Sequence, residues 1–553
     1  HICTATSTSE PIRILRERKA RLQRPFAIMV RDLQTAEGFA CVGDTERELL
    51  SSWRRPIVLL KRKSGVSSVI PDKSLNLIAP RLDTIGVMLP YAPAHHLLFK
   101  YMDESALVMT SANPSGIPMY VDRERIVKEL GDIVDYSLVH DRVIHQRADD
   151  SVIKMLSPRD PVFIRRARGY VPEPLMLEGD WKELRLLAVG PEEKATASIH
   201  SNNRIYTTQH IGDTNVVESM DFLRNAIDHM LHLLDINELD AIACDLHPEF
   251  LSTEFAETLA KKHDASLHRI PHHHAHLAAI VADHEIKYDT RIVCITADGY
   301  GYGTDSLGWG GEILVGTMVD SQRKGGLKTQ TYSGGDLSAR YAVRAVHGIL
   351  GGVLAERRFL QEFGGARIGE SVSLTRETMD ILSSSTQDEI GVMKSSSAGR
   401  FLDAAAMVLG VCSENSYDAE CPMKLEAVAR PNTLRIDPFI VSGDYGALLD
   451  TTKSLEKLLD LKESGHSIPD LAYTIQYHLG SSLAEIACQV ADSEDIGRIG
   501  FSGGVALNHI VTQAIRSRVM NHGLEFLIHR NIPPGDGGVS VGQVASAAAR
   551  ECQ

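Results

Sequence analysis

The sequence has no C-x-x-C pair. Its eight cysteines are scattered at positions 3, 41, 244, 294, 412, 421, 488 and 552, which excludes a zinc ribbon and a thioredoxin-type redox motif. It also lacks any apolar run near the ~18 residues of a membrane span, and it shows no secretory signal. Scattered thiols without such a signal predict reduced cysteines and a cytoplasmic location. An excess of basic residues is missing too. The chain has 58 Lys and Arg against 72 Asp and Glu, a net charge of −14, so nothing in its overall charge calls for nucleic acid or an anionic membrane as partner.

What is present is an ordinary globular composition, 43% hydrophobic and 24% charged over 553 residues, long enough for two or more domains. The charge is divided unevenly along it. Residues 1–175 carry 26 basic and 21 acidic side chains, a net +5, whereas the remainder carries 32 against 51, a net −19. A mildly basic unit suited to small anionic substrates is thus joined to a strongly acidic one. The change coincides with YVPEPLMLEGDW (170–181), whose prolines and glycine make it the best linker candidate. The chain opens with His1 rather than Met and runs into HICTATSTSEP, read here as lacking a leading strand. The expectation is a fragment that begins inside a domain.

Within the basic unit, residues 11–24 read as a basic amphipathic helix, followed by strand-like runs at 26–30, 56–62, 106–112, 151–156 and 162–167. The pattern is that of an α/β domain. Lys19, Arg21 and Arg24 stand directly before Pro25 and a strand. A solvated helix face would explain them, and so would a cradle for phosphates, in which Arg supplies a planar fork and Lys a point charge. TSANPSG (110–116) ends a strand in hydroxyls and an Asn-Pro turn, able to aim Thr110, Ser111 and Asn113 at a ligand. Arg147 and the cluster Arg165, Arg166, Arg168 add cations from other strands.

The acidic unit shows strand, glycine turn, strand and helix twice over, the order of a two-lobed actin-like ATP-binding fold. Pro271 and HHHAHLAAIVA form a helix start, in which His272 and His276 are i and i+4 on one face, a geometry by which helical histidines bind a divalent metal. His273 and His274 are expected to point elsewhere. Asp298 in ADGYGYGTD and Asp536 in PPGDGGVSVGQ occupy glycine turns and are candidate completing ligands, although a turn aspartate alone is commonplace. SGGVALN (502–508) is a further glycine turn between a strand and a helix, suited to phosphate.

RERKARLQRPFAIM, RRPIVLLKR, GVMLPYAPAHHLLF, VMTSANPSGIP, DRVIHQRADDSV and FIRRARGYVPEP resemble, in order and spacing, the YrdC-type domain of the HypF family of hydrogenase maturation carbamoyltransferases. Leu22 and Arg24 stand where that family usually has Pro and Lys. GPEEKAT, QHIGD, DLHPEFLST, HHHAHLAA, DGYGYGTDSLGWGGE, SSAGRFLDAAAMVLG, YDAECPMKLE, SGGVALN and PPGDGGVSVGQ resemble the same family's C-terminal domain, which is similar to TsaD-type carbamoyl transferases. The resemblance implies an α/β architecture in which a YrdC-like domain, 1–175, precedes a two-lobed actin-like (ASKHA, TsaD-type) ATP-binding domain, 183–553. It does not extend to the family's acylphosphatase-like domain, its zinc-finger pair or the first strands of the YrdC-type domain.

By this resemblance Lys19, Arg21, Arg55, Thr110, Ser111, Asn113, Arg147 and Arg165 would line a pocket where ATP, with Mg, and carbamate derived from carbamoyl phosphate give carbamoyl adenylate. His272, His276, Asp298 and Asp536 would hold one divalent metal, zinc or iron. Gly299, Gly301, Gly311, Glu312, Gly399, Asp403, Glu420, Gly503, Gly504 and Asn508 would line a second nucleotide site. The acceptor implied is the C-terminal cysteine of a HypE-type partner, in a route to the cyanide ligand of nickel-iron hydrogenase. Neither nucleic acid nor membrane enters. Two alternatives stand beside this reading. One is an antibiotic-type O-carbamoyltransferase, whose domains run in the opposite order. The other is a non-catalytic actin-like ATP-binding module, which leaves four potential ligands unexplained.

Overall fold

A computed structural model describes residues 1–552 except 64, 66–68, 115, 180 and 182. Ser115 of TSANPSG and Asp180 of the 170–181 stretch therefore lie outside the described residues. The chain forms two compact units, His1–His268 with Arg530–Val544, and Arg269–His529 with Ala545–Gln553.

The first unit holds two sheets. Short runs of Ile, Val, Leu, Met and Ala form the interior strands of the seven-stranded one, because such residues satisfy burial on both faces. Its order is Ile2–Ala5, Ala106–Thr110, Ala27–Val30, Thr84–Met88, Ile57–Lys61, Val152–Ser157 and Asp160–Arg165. The expectation that no strand precedes the first helix is corrected here. Ile2–Ala5 is an edge strand antiparallel to Ala106–Thr110, with Ile2 opposite Thr110, an assignment that depends on pairing with residues a hundred positions away.

The first helix, Glu10–Arg18, is shorter than the expected 11–24. Ala20 lies in the left-handed region at φ +48°, and the buried Arg16 guanidinium collects the carbonyls that follow. Its Nη1 donates to the carbonyl oxygens of Arg21 (2.7 Å), Leu22 (3.2 Å) and Arg24 (3.1 Å), and its Nη2 to that of Ile78 (3.1 Å). Residues 19–24 are thus a loop wrapped around an internal cation.

The six-stranded sheet runs Ser266–Ile270, Ala241–Asp245, Leu186–Ala188, Ser198–Ser201, Arg204–Thr207, Leu175–Met176. Its last strand corrects the linker assignment of 170–181. Leu175 and Met176 pair with Ile205 and Arg204, and Leu177 and Trp181 are buried. The prolines of this stretch bend a chain that is fastened to the sheet. The segment Arg530–Val544 is held to the same unit by Gln543, whose Oε1 accepts from Gly190 N at 3.0 Å, and by Ser540, whose Oγ lies 2.7 Å from Thr196 Oγ1.

The second unit is built on a nine-stranded sheet. Ile440–Gly443, Gly446–Leu449, Ser321–Leu327, Gly308–Gly316, Ile292–Tyr302, Arg498–Ser502 and Glu525–Ile528 follow one another, with Gln330–Ser333 and Val392–Ser395 off this path. The helix Ile468–Glu494 starts at Ser467, whose hydroxyl accepts from Asp470 N, and ends at Asp495 in the left-handed region. Leu471, Ile475, Leu479, Leu483 and Ile486 recur along it at helical spacing and lie in the main core. The prediction that every cysteine is a free thiol is corrected as well. Cys412 and Cys421 form a disulfide with Cα atoms 5.2 Å apart, where the end of the helix Ala398–Val408 is brought to the start of Glu420–Val428. Eight residues of intervening chain concealed that proximity. Among the described residues no helix is long and apolar enough to cross a membrane.

Candidate functional site

In the first unit the basic loop meets the hydroxyl-bearing turn. Lys19 is buried, and its Nζ donates to the carbonyls of Ser111 (2.8 Å) and Asn113 (2.8 Å) and to Asn113 Oδ1 (3.3 Å). Arg21 Nη1 donates to Thr110 Oγ1 at 3.0 Å, and Ser111 Oγ donates to Asn113 Oδ1 at 2.5 Å. Five of the expected residues, Lys19, Arg21, Thr110, Ser111 and Asn113, therefore form one connected group. Arg165 pairs with Asp149 at 2.9 Å, and both exert charge effects on Arg21.

Burial, followed by the charges of Arg21 and Arg24, pushes the Lys19 ammonium from 10.5 to about 8. Burial and the charges of Arg24, Arg16 and Arg165 bring Arg21 down to about 9. A site that holds cations at such a disadvantage favours an anion that stabilises their charge. The other two expected cations are engaged differently. Arg55 Nη1 donates to the Leu50 carbonyl at 3.1 Å. Arg147 donates through Nε to the Met119 carbonyl, and its guanidinium lies 5.0 Å from the Phe222 ring centre.

Two residues of the first unit were not singled out from sequence. Arg16 carries the loop from within, and His210 is held well below the ordinary imidazole value by burial and by Arg165, Lys194 and Arg24. The motif QHIGD contained His210, but its proximity to three cations depends on the fold.

In the second unit, Pro271 precedes the helix His272–Asp283, whose side chains are all buried. The strand Ile292–Tyr302 delivers Asp298 to its N-terminal end. His272, His276 and Asp298 each offer a ligand atom, and these atoms lie within 4.8 Å of one another; His276 Nε2 stands 3.2 Å from Asp298 Oδ2. Asp298 Oδ1 accepts from Gly299 N at 2.8 Å, which fixes the carboxylate's rotation. Two imidazoles and a carboxylate, oriented and shielded from water, suit zinc or iron. The fourth expected ligand, Asp536, lies in the other compact unit, at the start of the 3-10 turn Asp536–Gly538.

His274 does turn away, its Nδ1 3.1 Å from Ser321 Oγ and its Nε2 3.0 Å from the Met318 carbonyl. For His273 the expectation is corrected. Its ring centre lies 5.5 Å from that of His272, 6.1 Å from that of His276 and 6.0 Å from that of Trp309. The helix lies so close to the strand that a Cβ at Gly301 would come within 2.5 Å of the His273 ring and 2.7 Å of the His272 ring. Glycine is required there for approach.

The expected nucleotide-lining residues fall into several groups. Gly299 faces Gly399 closely, a Cβ on the latter coming 3.0 Å from Gly299 Cα, and one on Gly504 would lie 3.0 Å from Asp298 Oδ1. Gly503 takes φ +97° against the Ala297 carbonyl, a conformation that favours glycine. Glu312 is wholly buried. Its Oε1 accepts from the amides of Gly310 (3.3 Å) and Gly311 (3.4 Å) and from the Ser396 hydroxyl, and its Oε2 pairs with Arg323. Burial pushes its carboxyl up, opposed first by Arg323.

Asp403 pairs with Arg400 at 2.8 Å and accepts from Asn415 Nδ2 at 2.9 Å. Glu420 accepts from Ser416 N and Oγ and pairs with Lys424. Asn508 caps the helix His509–Asn521, its Oδ1 accepting from Ile510 N (3.1 Å) and Val511 N (3.0 Å). Of these polar side chains, Glu312 bonds glycine amides directly, whereas Asp403, Glu420 and Asn508 hold neighbouring helix ends and turns. Their cationic partners, Arg323, Arg400 and Lys424, gave no sequence signal, since isolated basic residues in a long acidic unit do not announce a buried pair.

Family models match three consecutive stretches: telomere recombination (the Sua5, YciO and YrdC group) over 1–167, a HypF Kae1-like domain over 182–283, and a carbamoyltransferase Kae1-like domain, second subdomain, over 294–543. The chain is 36% identical to the probable carbamoyltransferase HypF of Methanocaldococcus jannaschii, covering 98% of this chain and 68% of that one. It is 34% identical to the carbamoyltransferase HypF of Rhizobium leguminosarum bv. viciae, covering 99% and 69%. Among solved structures, T. kodakarensis HypF superposes with a TM-score of 0.92 at 36% identity, covering all of this chain and 70% of that one. A full-length HypF in its phosphate- and nucleotide-bound form superposes at 0.91 and 30% identity, covering all of this chain and 69% of that one. With a YrdC-type α/β segment, a Kae1-like segment and full-length similarity of this degree, the chain belongs to the HypF family of carbamoyltransferases.

Proposed function

We propose that residues 1–175 form carbamoyl adenylate and that residues 183–553 transfer its carbamoyl group to a thiol. Carbamoyl phosphate is first hydrolysed by water to carbamate and inorganic phosphate; a carbamate oxygen then attacks the α-phosphorus of ATP, and pyrophosphate leaves. Lys19 and Arg21 neutralise phosphate charge, while Thr110, Ser111 and Asn113 supply hydroxyl and amide groups to orient the reactants. Arg55, Arg147 and Arg165 complete the pocket in this reading. The adenylate is then consumed in the Kae1-like segment, where the acceptor thiolate attacks the carbamoyl carbon, the bond to AMP breaks, and a thiocarbamate is formed.

His272, His276, Asp298 and Asp536 would hold one zinc or iron ion, which when bound supplies Lewis acidity at the carbamoyl carbonyl. Gly299, Gly301, Gly311, Gly399, Gly503 and Gly504 let the backbone approach the nucleotide, and Glu312, Asp403, Glu420 and Asn508 line the same site. The acceptor is the C-terminal cysteine of a HypE-type protein. The observation that carries this reading is the buried pair of histidines beside Asp298, in a chain whose other segment presents half-disfavoured cations to an anion. The test combines elemental analysis of the purified chain with carbamoyl transfer from ATP and carbamoyl phosphate to a HypE-type C-terminal peptide. A metal-free chain that transfers at full rate would overturn it.

A further inference from the structure

The histidine helix ends on a second carboxylate. Asp283 is seven residues beyond His276 and so two turns along the same face. The strands Arg498–Ser502 and Glu525–Ile528 are parallel, with Phe501 opposite Ile528, and the next residue of each chain brings Ser502 beside His529. A continuous buried line results. His276 Nδ1 is 3.0 Å from Ser502 Oγ, Ser502 Oγ is 2.8 Å from His529 Nε2, and His529 Nδ1 is 3.4 Å from Asp283 Oδ2.

One assignment of protons runs the whole length of this line and leaves a lone pair on His276 Nε2. A carboxylate only accepts, so Asp283 draws the His529 proton onto Nδ1 and leaves a lone pair on Nε2. That lone pair takes the Ser502 hydroxyl proton. Ser502 Oγ in turn accepts from His276 Nδ1, and His276 Nε2 keeps its lone pair on the side of Asp298. Burial favours the neutral His529 ring that this requires, with Asp283 opposing.

We propose that Ser502, His529 and Asp283 form a positioning relay that selects the tautomer and orientation of His276 required of a metal ligand. The inference rests on the metal reading above. Carboxylate–histidine support behind a ligating imidazole raises its basicity, and the loss of such support commonly lowers metal affinity about 10- to 100-fold.

The test uses the full chain, zinc as the probe in competition with a chelator, and ring nitrogen shifts from histidine labelling. The expected result is His529 protonated on Nδ1 and bare on Nε2, with zinc binding weakened ~10- to 100-fold in Asp283→Asn and Ser502→Ala and restored in Ser502→Thr, which keeps the hydroxyl. Melting curves identify a variant that fails to fold, in which case the His529 shifts of the unaltered chain decide. A His529 protonated on Nε2, or variants that bind zinc as tightly as the parent, would overturn the relay while leaving the metal site intact. A parent chain that binds no zinc would overturn the metal site, and the His529 tautomer would still support or refute the relay.

Discussion

Replacing Lys19 with Met asks whether this buried cation serves the fold or the ligand, and two opposing effects set the answer. The ammonium donates to three oxygens of the turn that follows Thr110, and charge-assisted bonds of this kind contribute ~1.5–3 kcal/mol net. Against this, a displacement from 10.5 to about 8 means that the fold disfavours the charged form by roughly 3 kcal/mol. Each of the three bonds carries that contribution, so together they outweigh the cost, and Lys19→Met should lower the unfolding free energy by about 1 kcal/mol or more and the melting temperature by a few degrees or more.

ATP binding should respond as well, because a phosphate beside Lys19 stabilises the disfavoured charge. A loss of ~2–3 kcal/mol corresponds to roughly 30- to 150-fold weaker binding. The pH dependence has a definite sign. Between about 8 and 10.5 the folded chain holds fewer protons on Lys19 than the unfolded chain, so the parent gains stability over Lys19→Met as pH rises through that window. ATP favours the ammonium, so the parent's affinity should fall above pH 8 while the variant's stays flat. Calorimetric titration and melting curves at pH 7 and pH 9.5 measure both. Unchanged ATP affinity, with only the melting point lowered, would make Lys19 a structural cation and refute the reasoning.

His272→Ala should abolish bound zinc or iron and carbamoyl transfer, by elemental and peptide assays, while ATP–pyrophosphate exchange persists, since Lys19 and its partners lie in the other unit. Conversely, Ser111→Ala with Asn113→Ala should abolish carbamate-dependent exchange and leave metal content unchanged. Glu312→Gln leaves the buried Arg323 with only the longer pair to Asp305 at 3.6 Å and should destabilise the chain by up to ~3–5 kcal/mol, visible as a lower denaturation midpoint and absent in a surface control such as Glu285→Gln.

The elements readable in advance were those whose signal is local. FAIMV and the first four residues of ALVMTSA are apolar throughout and became interior strands. Pro271 marked the start of the histidine helix, and the i, i+4 spacing of His272 and His276 needed only the helical period to bring them together. What escaped depended on distant partners. Ile2–Ala5 is a strand because Ala106–Thr110 lies beside it, and Leu175–Met176 because Arg204–Ile205 does. Arg16 read as one more basic residue on a helix, although it is buried against the carbonyls of the loop that follows. Cys412 and Cys421 became a pair only when two helices met.

The close approach over Gly301 has a consequence for which ions the histidine helix can accept. His272 and His273 rest against main chain, which has no rotamers to change and cannot be pushed aside as a side chain can. Their rings are therefore arrested before any ion arrives, and little torsional entropy is left to lose on ligation. A frame this stiff discriminates by radius and preferred angle, since a cation that needs longer bonds or more ligands finds no slack to take up. On the proposed metal reading, Gly301→Ala would put that slack back by lifting both rings off their floor, so the strand that supplies Asp298 would also set the selectivity of the centre.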